Sequence, residues 1–229
     1  MTAFWRLRTR LYDVCEGSDL RRGGRKAELF AHMEGRTLFM AVGTGIDLKH
    51  FPAHADVTAI EISAEMLARA APRGVQCPCE LRLVRADALN LPFAYGAFDT
   101  AVTSCTLCSV PDPGRALQEV HRVLRPGGKL LLFEHVRSRN WCFGLALDAM
   151  TLWTRLAGTE MNRDTVASVR RAGFEIRRID SVFLDIILSI QAVKNLPSPT
   201  SGTRDRAGLG RRRSLARIAG AGVPPLAAT

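Results

Sequence analysis

Small and acidic residues that could bind a nucleoside follow three short apolar runs of the sequence. The first run ends in the turn Gly43-Thr44-Gly45, where the missing Cβ atoms let the backbone approach a ligand closely. Glu61 ends the second run, and a carboxylate there could accept both hydroxyls of a ribose. Asp87 follows the third run and could accept the exocyclic amine of adenine. Taken singly, the glycines also suit a tight turn, Glu61 a solvated charge and Asp87 a turn cap. Together they indicate a nucleoside site.

Parallel strands would bring these residues to one place. The runs Thr37–Val42, Asp56–Ile62 and Leu81–Arg85 have the length and composition of buried strands, and Ser63 can cap a helix after the second. Open α/β sheets bind ligands in the crevice at the carboxyl ends of their strands. We therefore expect the three positions to face one crevice.

The same alternation of strands and helices continues along the chain. Phe98–Cys105 is a fourth predicted strand, and Asp112-Pro113 has the form of an N-cap followed by a first helical residue. We predict that this helix stops at Pro126-Gly127-Gly128, before a fifth strand over Lys129–Val136. The pattern predicts an α/β fold built on a mostly parallel sheet.

The last elements are predicted to close the sheet in the opposite direction. A helical stretch covers Trp141–Ala157, and Asn162 is expected to cap a further helix that ends near Gly173. The strands Phe174–Val182 and Ile186–Lys194 follow. Too few residues separate them for a crossover helix, so we expect an antiparallel pair.

Both ends of the chain are basic. The formal net charge is +10, with seven Lys/Arg against three acids in residues 1–26 and six Arg against one acid in residues 195–229. The composition predicts an N-terminal helical cap over residues 1–35 and a basic disordered tail over residues 195–229. Basic ends are typical of solvated arms, and attraction to anionic lipid or nucleic acid would leave the same mark.

The sequence predicts a cytoplasmic protein, and the charge of its termini leaves peripheral membrane contact open as an alternative to solvated arms. The first ten residues lack the apolar core of a secretory signal, and Trp141–Ala157 falls short of the ~20 apolar residues of a spanning helix. The pairs Cys77/Cys79 and Cys105/Cys108 could join in a zinc site, but irregular spacing favours reduced thiols and no metal.

Taken together, the motifs resemble those of the class I S-adenosylmethionine-dependent methyltransferases. The matching segments are "VGTG", "VTAIEISAEML", "RADALNLPF", "GAFDTAVTSCTLCSV" and "EVHRVLRPGGKLLLFEHV". Their spacing is most similar to the branch with ubiquinone/menaquinone, phospholipid and thiol methyltransferases. The resemblance implies a Rossmann-like seven-stranded, mostly parallel sheet with an antiparallel last strand and helices on both faces, forming a methyltransferase domain over residues 36–194.

The resemblance also implies that S-adenosyl-L-methionine is the cofactor. Gly43 and Gly45 would line its methionine part, Glu61 would bind ribose, and Ser104 would lie near the methionine amino group. The full set of cofactor-binding residues implied by the match is Ala41, Gly43, Thr44, Gly45, Glu61, Ile62, Asp87, Ala88 and Ser104.

Two positions depart from the family pattern. Phe39 stands where the family usually has an acid, and Ala41 stands where it has its first glycine. The first change removes a partner for the cofactor's ammonium or for an ordered water, and the second adds a methyl group that should crowd the loop. Weak cofactor binding, or a degenerate non-catalytic binding module, is the alternative that these positions favour.

The acceptor side of the predicted site has fewer candidates. Methyl transfer depends mostly on positioning, but an oxygen or thiol acceptor would benefit from a base. His135, at the end of the fifth strand, is the candidate base, although a lone histidine also suits a structural role. Tyr12 in the N-terminal cap is a candidate for the acceptor pocket. The branch implies a small or lipophilic acceptor of the quinone, phospholipid-amine or thiol type.

Two other enzyme classes fit the sequence less well. A nicotinamide reductase should have a third glycine where this chain has Leu48. It should also have a lysine four residues after a tyrosine, and Tyr95 is not followed by one. A nucleic-acid methyltransferase is suggested by the charge, but base-modifying relatives place a different motif where this chain has "SCTL". We expect no specific nucleic-acid partner.

Overall fold

The computed structural model describes residues 22–138, 140–154, 159–160 and 162–196. The helices, and then the strands, have the following bounds: α1 Gly23–Phe30, α2 Ala64–Val75, α3 Pro113–Val123, α4 Trp141–Thr154 and α5 Thr165–Arg171; β1 Arg36–Met40, β2 Asp56–Glu61, β3 Glu80–Arg85, β4 Phe98–Ser104, β5 Leu124–His135, β6 Phe174–Phe183 and β7 Ile187–Lys194. A short 3₁₀ turn over Leu48–His50 follows the glycine turn.

A seven-stranded sheet organises the chain, with the strand order β3-β2-β1-β4-β5-β7-β6. The first five strands pair in parallel, and β7 runs antiparallel to both β5 and β6. The order reverses at β1, whose two neighbours are β2 and β4. This arrangement confirms the predicted Rossmann-like α/β fold, and it places the crevice between the ends of β1 and β4.

Three helix N-termini show how side chains set the element boundaries. Ser63 Oγ accepts from Met66 N at 3.3 Å and Asp112 Oδ1 accepts from Arg115 N at 2.9 Å, so both predicted caps are confirmed. The predicted Asn162 cap is wrong. Asp164 caps α5 by accepting from Ala167 N at 2.9 Å.

Asn162 has a different partner. Its side-chain amide donates to Asp148 Oδ1 at 3.0 Å, which ties the segment before α5 to helix α4. Asn and Asp cap helices about equally well, so local preference could not choose between positions 162 and 164. The contact with Asp148, far away in sequence, decides it.

The prediction that a helix stops at the Pro126-Gly127-Gly128 segment is wrong. Helix α3 ends at Val123, and β5 begins at Leu124, which pairs with Phe98 before the register resumes at Lys129 opposite Thr100. The segment is thus a bulge within the strand. A Cβ on Gly128 would lie 2.8 Å from the carbonyl oxygen of Arg125, so only glycine fits there.

The core occupies both faces of the sheet because alternate strand residues point in opposite directions. Leu38 packs with one cluster, which covers helices α3 and α5, and its neighbour Phe39 packs with the other, which covers α1. Phe30, Phe39 and Phe51 form an aromatic group in this second cluster, with ring centroids 4.8 to 5.9 Å apart. We refer below to this side of the sheet as the α1 face.

The predicted division of the chain stays a prediction. Helix α1 falls within the proposed cap over residues 1–35, but residues 1–21 lie outside the described residues, as do residues 197–229 of the proposed tail. None of the described helices combines the length and the apolar character required to cross a bilayer.

Candidate functional site

The turn after β1 runs through left-handed backbone. Gly43 and Gly45 have φ angles of 58° and 80°, and Ala41 has a φ of 52°. Glycine adopts these angles without a steric penalty, whereas alanine does not. The departure at Ala41 therefore strains the backbone, an effect distinct from the crowding predicted for its methyl group. At Gly45 a Cβ would lie 2.9 Å from the Leu48 side chain and 3.1 Å from the backbone of Ala70, so helix α2 can pack against the turn only because this residue is glycine.

Glu61 is held by backbone hydrogen bonds at the end of β2. Its Oε2 accepts from Gly43 N at 3.0 Å and its Oε1 accepts from Ser63 N at 3.0 Å. Only 8% of the residue is exposed. Each carboxylate oxygen can accept a further hydrogen bond, so Glu61 can still bind two hydroxyl groups in an orientation that the backbone has set.

The next strand adds an acidic and an apolar group at the same edge. Asp87 is exposed, and its Oδ1 accepts from Leu89 N at 2.9 Å, with half-buried Ala88 between them. Ala86 N donates to the carbonyl of Glu61 at 3.1 Å, which places the end of β3 beside that of β2. Ile62 is 60% exposed at this edge, although it is large and apolar. An apolar surface beside a carboxylate fits a heterocycle with an exocyclic amine.

Ser104 ends β4 with a buried hydroxyl. Met40 pairs with Thr103, so Ser104 lies beside Ala41, across the crevice from the glycine turn. Its Oγ is buried and has no hydrogen-bond partner within the part of the chain that the structure describes. Buried polar atoms nearly always have a partner, and a bound polar ligand would supply one here.

Sequence reasoning missed Glu134, which is fully buried in β5. Its Oε1 accepts from the Thr103 hydroxyl at 2.8 Å and from Thr106 N at 3.0 Å, and its Oε2 accepts from Leu107 N at 3.2 Å. The carboxylate therefore holds the loop that follows Ser104. The signal was available in the sequence, because a charge inside the run "LLLFEHV" has to be satisfied when that run is buried.

His135 ends β5 two residues beyond Phe133, the residue that pairs with Ser104. It lies on the α1 face and is 8% exposed. Burial, together with the charges of Arg22 and Lys26, lowers the pKa of its imidazole to about 4. The ring is neutral at pH 7 and is a hydrogen-bond acceptor, but it is a weak base.

Thr44 and Tyr12 complete the set of predicted site residues. Thr44 is fully buried, and its carbonyl accepts from Arg73 Nη1 at 2.6 Å. Tyr12 lies outside the described residues.

The two cysteine pairs that could have formed a zinc site lie at opposite ends of the parallel strands. Cys77 and Cys79 precede β3, with their sulfur atoms 2.7 Å apart, whereas Cys105 and Cys108 follow β4. Burial, with the neighbouring thiol, raises the pKa of Cys79 to about 12, so its thiol stays protonated. Within the described ranges no group of three or more His, Cys, Asp and Glu side chains is arranged to hold a metal ion.

An apolar rim lies beyond His135. Helix α4 buries Gly144, Leu147 and Thr151 and exposes apolar residues around the rest of its surface. The large exposed ones are Trp141, Phe143, Leu145, Met150 and Leu152.

The turn between β6 and β7 continues this rim. Ser138, just before α4, donates to Asp185 in the turn at 2.6 Å, and Phe183 and Leu184 of the turn are exposed. Val136 N donates to the carbonyl of Ile186 at 2.8 Å, so the turn lies beside the end of β5. We call the exposed residues of α4 with Phe183 and Leu184 the apolar rim.

These positions fit the adenosine-linked cofactor that the sequence motifs suggest. Glu61 ends β2 with spare acceptor capacity, and the exposed Ile62 follows it. Ser104 ends β4 with a buried hydroxyl that has no hydrogen-bond partner among the described residues. The individual roles of Gly43, Glu61, Asp87 and Ser104 remain predictions, but their placement suits ribose, adenine and a polar amino-acid end.

Comparison with known proteins gives the same picture. Residues 38–132 match the family described as "Methyltransferase domain". The chain is 36% identical over 133 residues to a demethylmenaquinone methyltransferase of Thermus thermophilus, covering 56% of this chain and 60% of that protein. It is 39% identical over 105 residues to a phosphatidylethanolamine N-methyltransferase of Cereibacter sphaeroides, covering 44% and 51%.

A human protein, thiol S-methyltransferase TMT1B, matches over a longer segment. The identity is 29% over 171 residues, with 69% of this chain and 70% of that protein covered. The chain thus spans only about half to two thirds of the length of these three relatives.

Solved structures share the fold. A possible histamine N-methyltransferase of Thermotoga maritima superposes with a TM-score of 0.63 at 21% identity, covering 84% of this chain and all of that one. A putative methyltransferase of Haloferax volcanii, solved with its Trm112 activator, gives a TM-score of 0.66 at 16% identity, covering 85% and 99%.

Proposed function

We propose that the chain, whose residues 38–132 match a methyltransferase domain, is a class I S-adenosylmethionine-dependent methyltransferase that transfers a methyl group to a small or lipophilic acceptor. The observation that carries the proposal is the pairing of Glu61 with the glycine turn. It joins the ends of β1 and β2 into one nucleoside-binding edge, beside the buried hydroxyl of Ser104.

The residues would act mainly by positioning. When bound, S-adenosylmethionine supplies a methyl group that its sulfonium already activates. Holding the acceptor at near-attack distance then provides most of the rate enhancement. Glu61 and Asp87 would anchor the nucleoside, and Ser104 would lie toward its amino-acid end.

His135 would orient the acceptor rather than take its proton. A neutral imidazole can accept a hydrogen bond from a hydroxyl or thiol at pH 7. With a pKa of about 4, however, it is poorly matched to hold that proton. We therefore propose that the proton is released to water at the open side of the crevice.

The apolar rim supports a lipophilic acceptor. The fully exposed residues of α4 are apolar, and Asp148, the acid of this helix, is partly exposed and engaged with Arg137 at 2.8 Å. A contiguous apolar surface beside a site is typical of lipid or apolar-ligand contact. The curated relatives include enzymes named for a quinone precursor, a phospholipid and a thiol, so these three acceptor types are the ones to test.

The test is a transfer assay with methyl-labelled cofactor. Demethylmenaquinone, phosphatidylethanolamine vesicles, an alkyl thiol and RNA would be offered to the full chain in parallel. We expect transfer to one of the first three and none to RNA. Transfer to RNA alone would overturn the acceptor class. Absence of cofactor binding at millimolar concentration would favour the non-catalytic module that Phe39 and Ala41 suggest.

The rim and the basic termini together would bring the protein to a membrane surface. Vesicle flotation tests this with the variant Leu145→Asp/Leu152→Asp, which places two carboxylates on the exposed face of α4. We expect this variant to bind anionic vesicles several-fold more weakly than the wild type. Val75→Asp/Tyr95→Asp is the matched control, because it adds the same two carboxylates at exposed apolar positions outside the rim. Equal loss for both variants would argue against contact through the rim.

A further inference from the structure

A buried ion pair lies beside the cofactor crevice and has no role in the site described so far. Lys26 Nζ lies 2.7 Å from Asp47 Oδ1, and the two residues are only 2% and 8% exposed. Lys26 belongs to α1, and Asp47 follows the glycine turn by two residues. The pair therefore ties the N-terminal helix to the cofactor-binding loop.

Two contacts place the pair near the end of β4. Lys26 Nζ lies 5.3 Å from the centre of the Phe133 ring on β5, and Asp47 belongs to the loop after β1. Strand β4 lies between β1 and β5, and it ends at Ser104. The ion pair thus lies on the α1 face, near the buried hydroxyl of Ser104, which has no hydrogen-bond partner among the described residues.

Simple stabilisation does not explain such a pair well. Removing two charges from water is unfavourable, and apolar residues of similar volume usually stabilise a protein as much or more. A buried ammonium and a buried carboxylate held side by side are complementary to a zwitterionic ligand. The amino-acid end of the cofactor is a zwitterion, with a carboxylate for a cation and an ammonium for an anion.

The substitution at position 39 sharpens this point. Phe39 is buried in the aromatic group with Phe30 and Phe51, so no carboxylate reaches the crevice from that position. An ammonium bound near Ser104 needs an anion from elsewhere. Asp47 has a buried carboxylate in the loop that follows β1.

We propose that Lys26 and Asp47 bind the amino-acid end of the cofactor, with Asp47 taking the place of the acid that position 39 lacks. This assignment rests on the proposed use of S-adenosylmethionine. Lys26 would contact the carboxylate, Asp47 the ammonium, and Ser104 would complete the site.

Calorimetric binding of two ligands tests the assignment without any turnover. S-adenosylhomocysteine has the amino-acid end, and 5′-deoxy-5′-methylthioadenosine has the same nucleoside and a neutral sulfur but lacks that end. We expect the wild type to bind the first at least about tenfold more tightly, since charge-assisted hydrogen bonds are the strong ones. Equal affinities in the wild type would overturn the assignment and leave the proposed function in place. Binding of neither ligand would overturn both.

Variants test whether the ion pair causes the difference in affinity between the two ligands. Lys26→Met and Asp47→Asn should each weaken S-adenosylhomocysteine about tenfold and leave methylthioadenosine within about twofold. The double variant Lys26→Met/Asp47→Leu removes both charges of the pair together, so it should fold and show the same selective loss. Lys129→Met is the control, because it removes an exposed ion pair with Glu34. Equal weakening of both ligands, or no change in either, would refute the assignment.

Discussion

The two halves of the crevice are built differently. On the proposed nucleoside side, backbone amides hold the carboxylate of Glu61, and glycine angles shape the turn that supplies one of them. On the proposed acceptor side, His135 is buried at the end of a strand, and the apolar rim is exposed. The first half is specified by local backbone geometry, and the second by the packing of distant elements.

This difference suits a family that keeps one cofactor and changes acceptors. A site made from backbone hydrogen bonds leaves a recognisable sequence motif, because few residues satisfy it. A rim of apolar side chains leaves no such motif, because many different apolar residues can form it. We therefore expect substitutions on the two sides to produce different kinds of loss.

The largest effect is expected at Glu134, which connects the halves by holding the loop after β4. Glu134→Ala should lower the free energy of unfolding by about 3 kcal/mol or more, because buried donors from Thr103, Thr106 and Leu107 lose their acceptor. Glu134→Gln keeps one acceptor oxygen and should lose about half as much. Chemical denaturation measures both. A loss below about 1 kcal/mol for the alanine variant would mean that this carboxylate does not organise the loop.

His135 should make the acceptor half sensitive to acid. Its pKa is lowered to about 4 in the folded protein, so the unfolded chain binds its proton first. Stability from this group is present above the unfolded pKa of about 6.5 and is lost as the pH falls toward 4. Between pH 7 and 4.5 the loss should be about 2 kcal/mol.

Denaturation across this pH range checks that value. The variant His135→Gln should lack this part of the pH dependence, while the control His32→Asn, at an exposed position, should keep it. Identical pH profiles for His135→Gln and the wild type would exclude the buried neutral imidazole.

On the nucleoside side, Glu61→Gln should weaken ligand binding with a smaller change in stability. We expect about a tenfold loss, equal to about 1.4 kcal/mol, because one oxygen that could accept a ribose hydroxyl becomes a donor. Both S-adenosylhomocysteine and methylthioadenosine should lose affinity equally, since both contain the ribose. Glu65→Gln, on the exposed surface of α2, is the control for calorimetry. Selective loss of one ligand would place Glu61 elsewhere.

The smallest effect is expected at Ala41, and it should be stabilising. Left-handed backbone is unfavourable for alanine by about 1–2 kcal/mol, and glycine loses about 0.5–1 kcal/mol more conformational entropy on folding. Ala41→Gly should therefore raise the free energy of unfolding by about 0.5 kcal/mol. Thermal and chemical denaturation would show this, and a lower stability would indicate that the turn is not strained there.

The sequence by itself determined the alternation of strands and helices, the caps at Ser63 and Asp112, and the glycine turn with Glu61. These features depend on interactions within a few residues, or on a pattern that burial requires. They were therefore visible before any contact was known.

Only the tertiary structure decided which distant residues meet. It paired Lys26 with Asp47, buried the Ser104 hydroxyl beside Ala41 with no partner from the described part of the chain, and gave Glu134 its donors from the loop after β4. It also moved the α5 cap from Asn162 to Asp164 through a contact with α4. Register and packing between separate strands fix these contacts, and neither is encoded in local spacing.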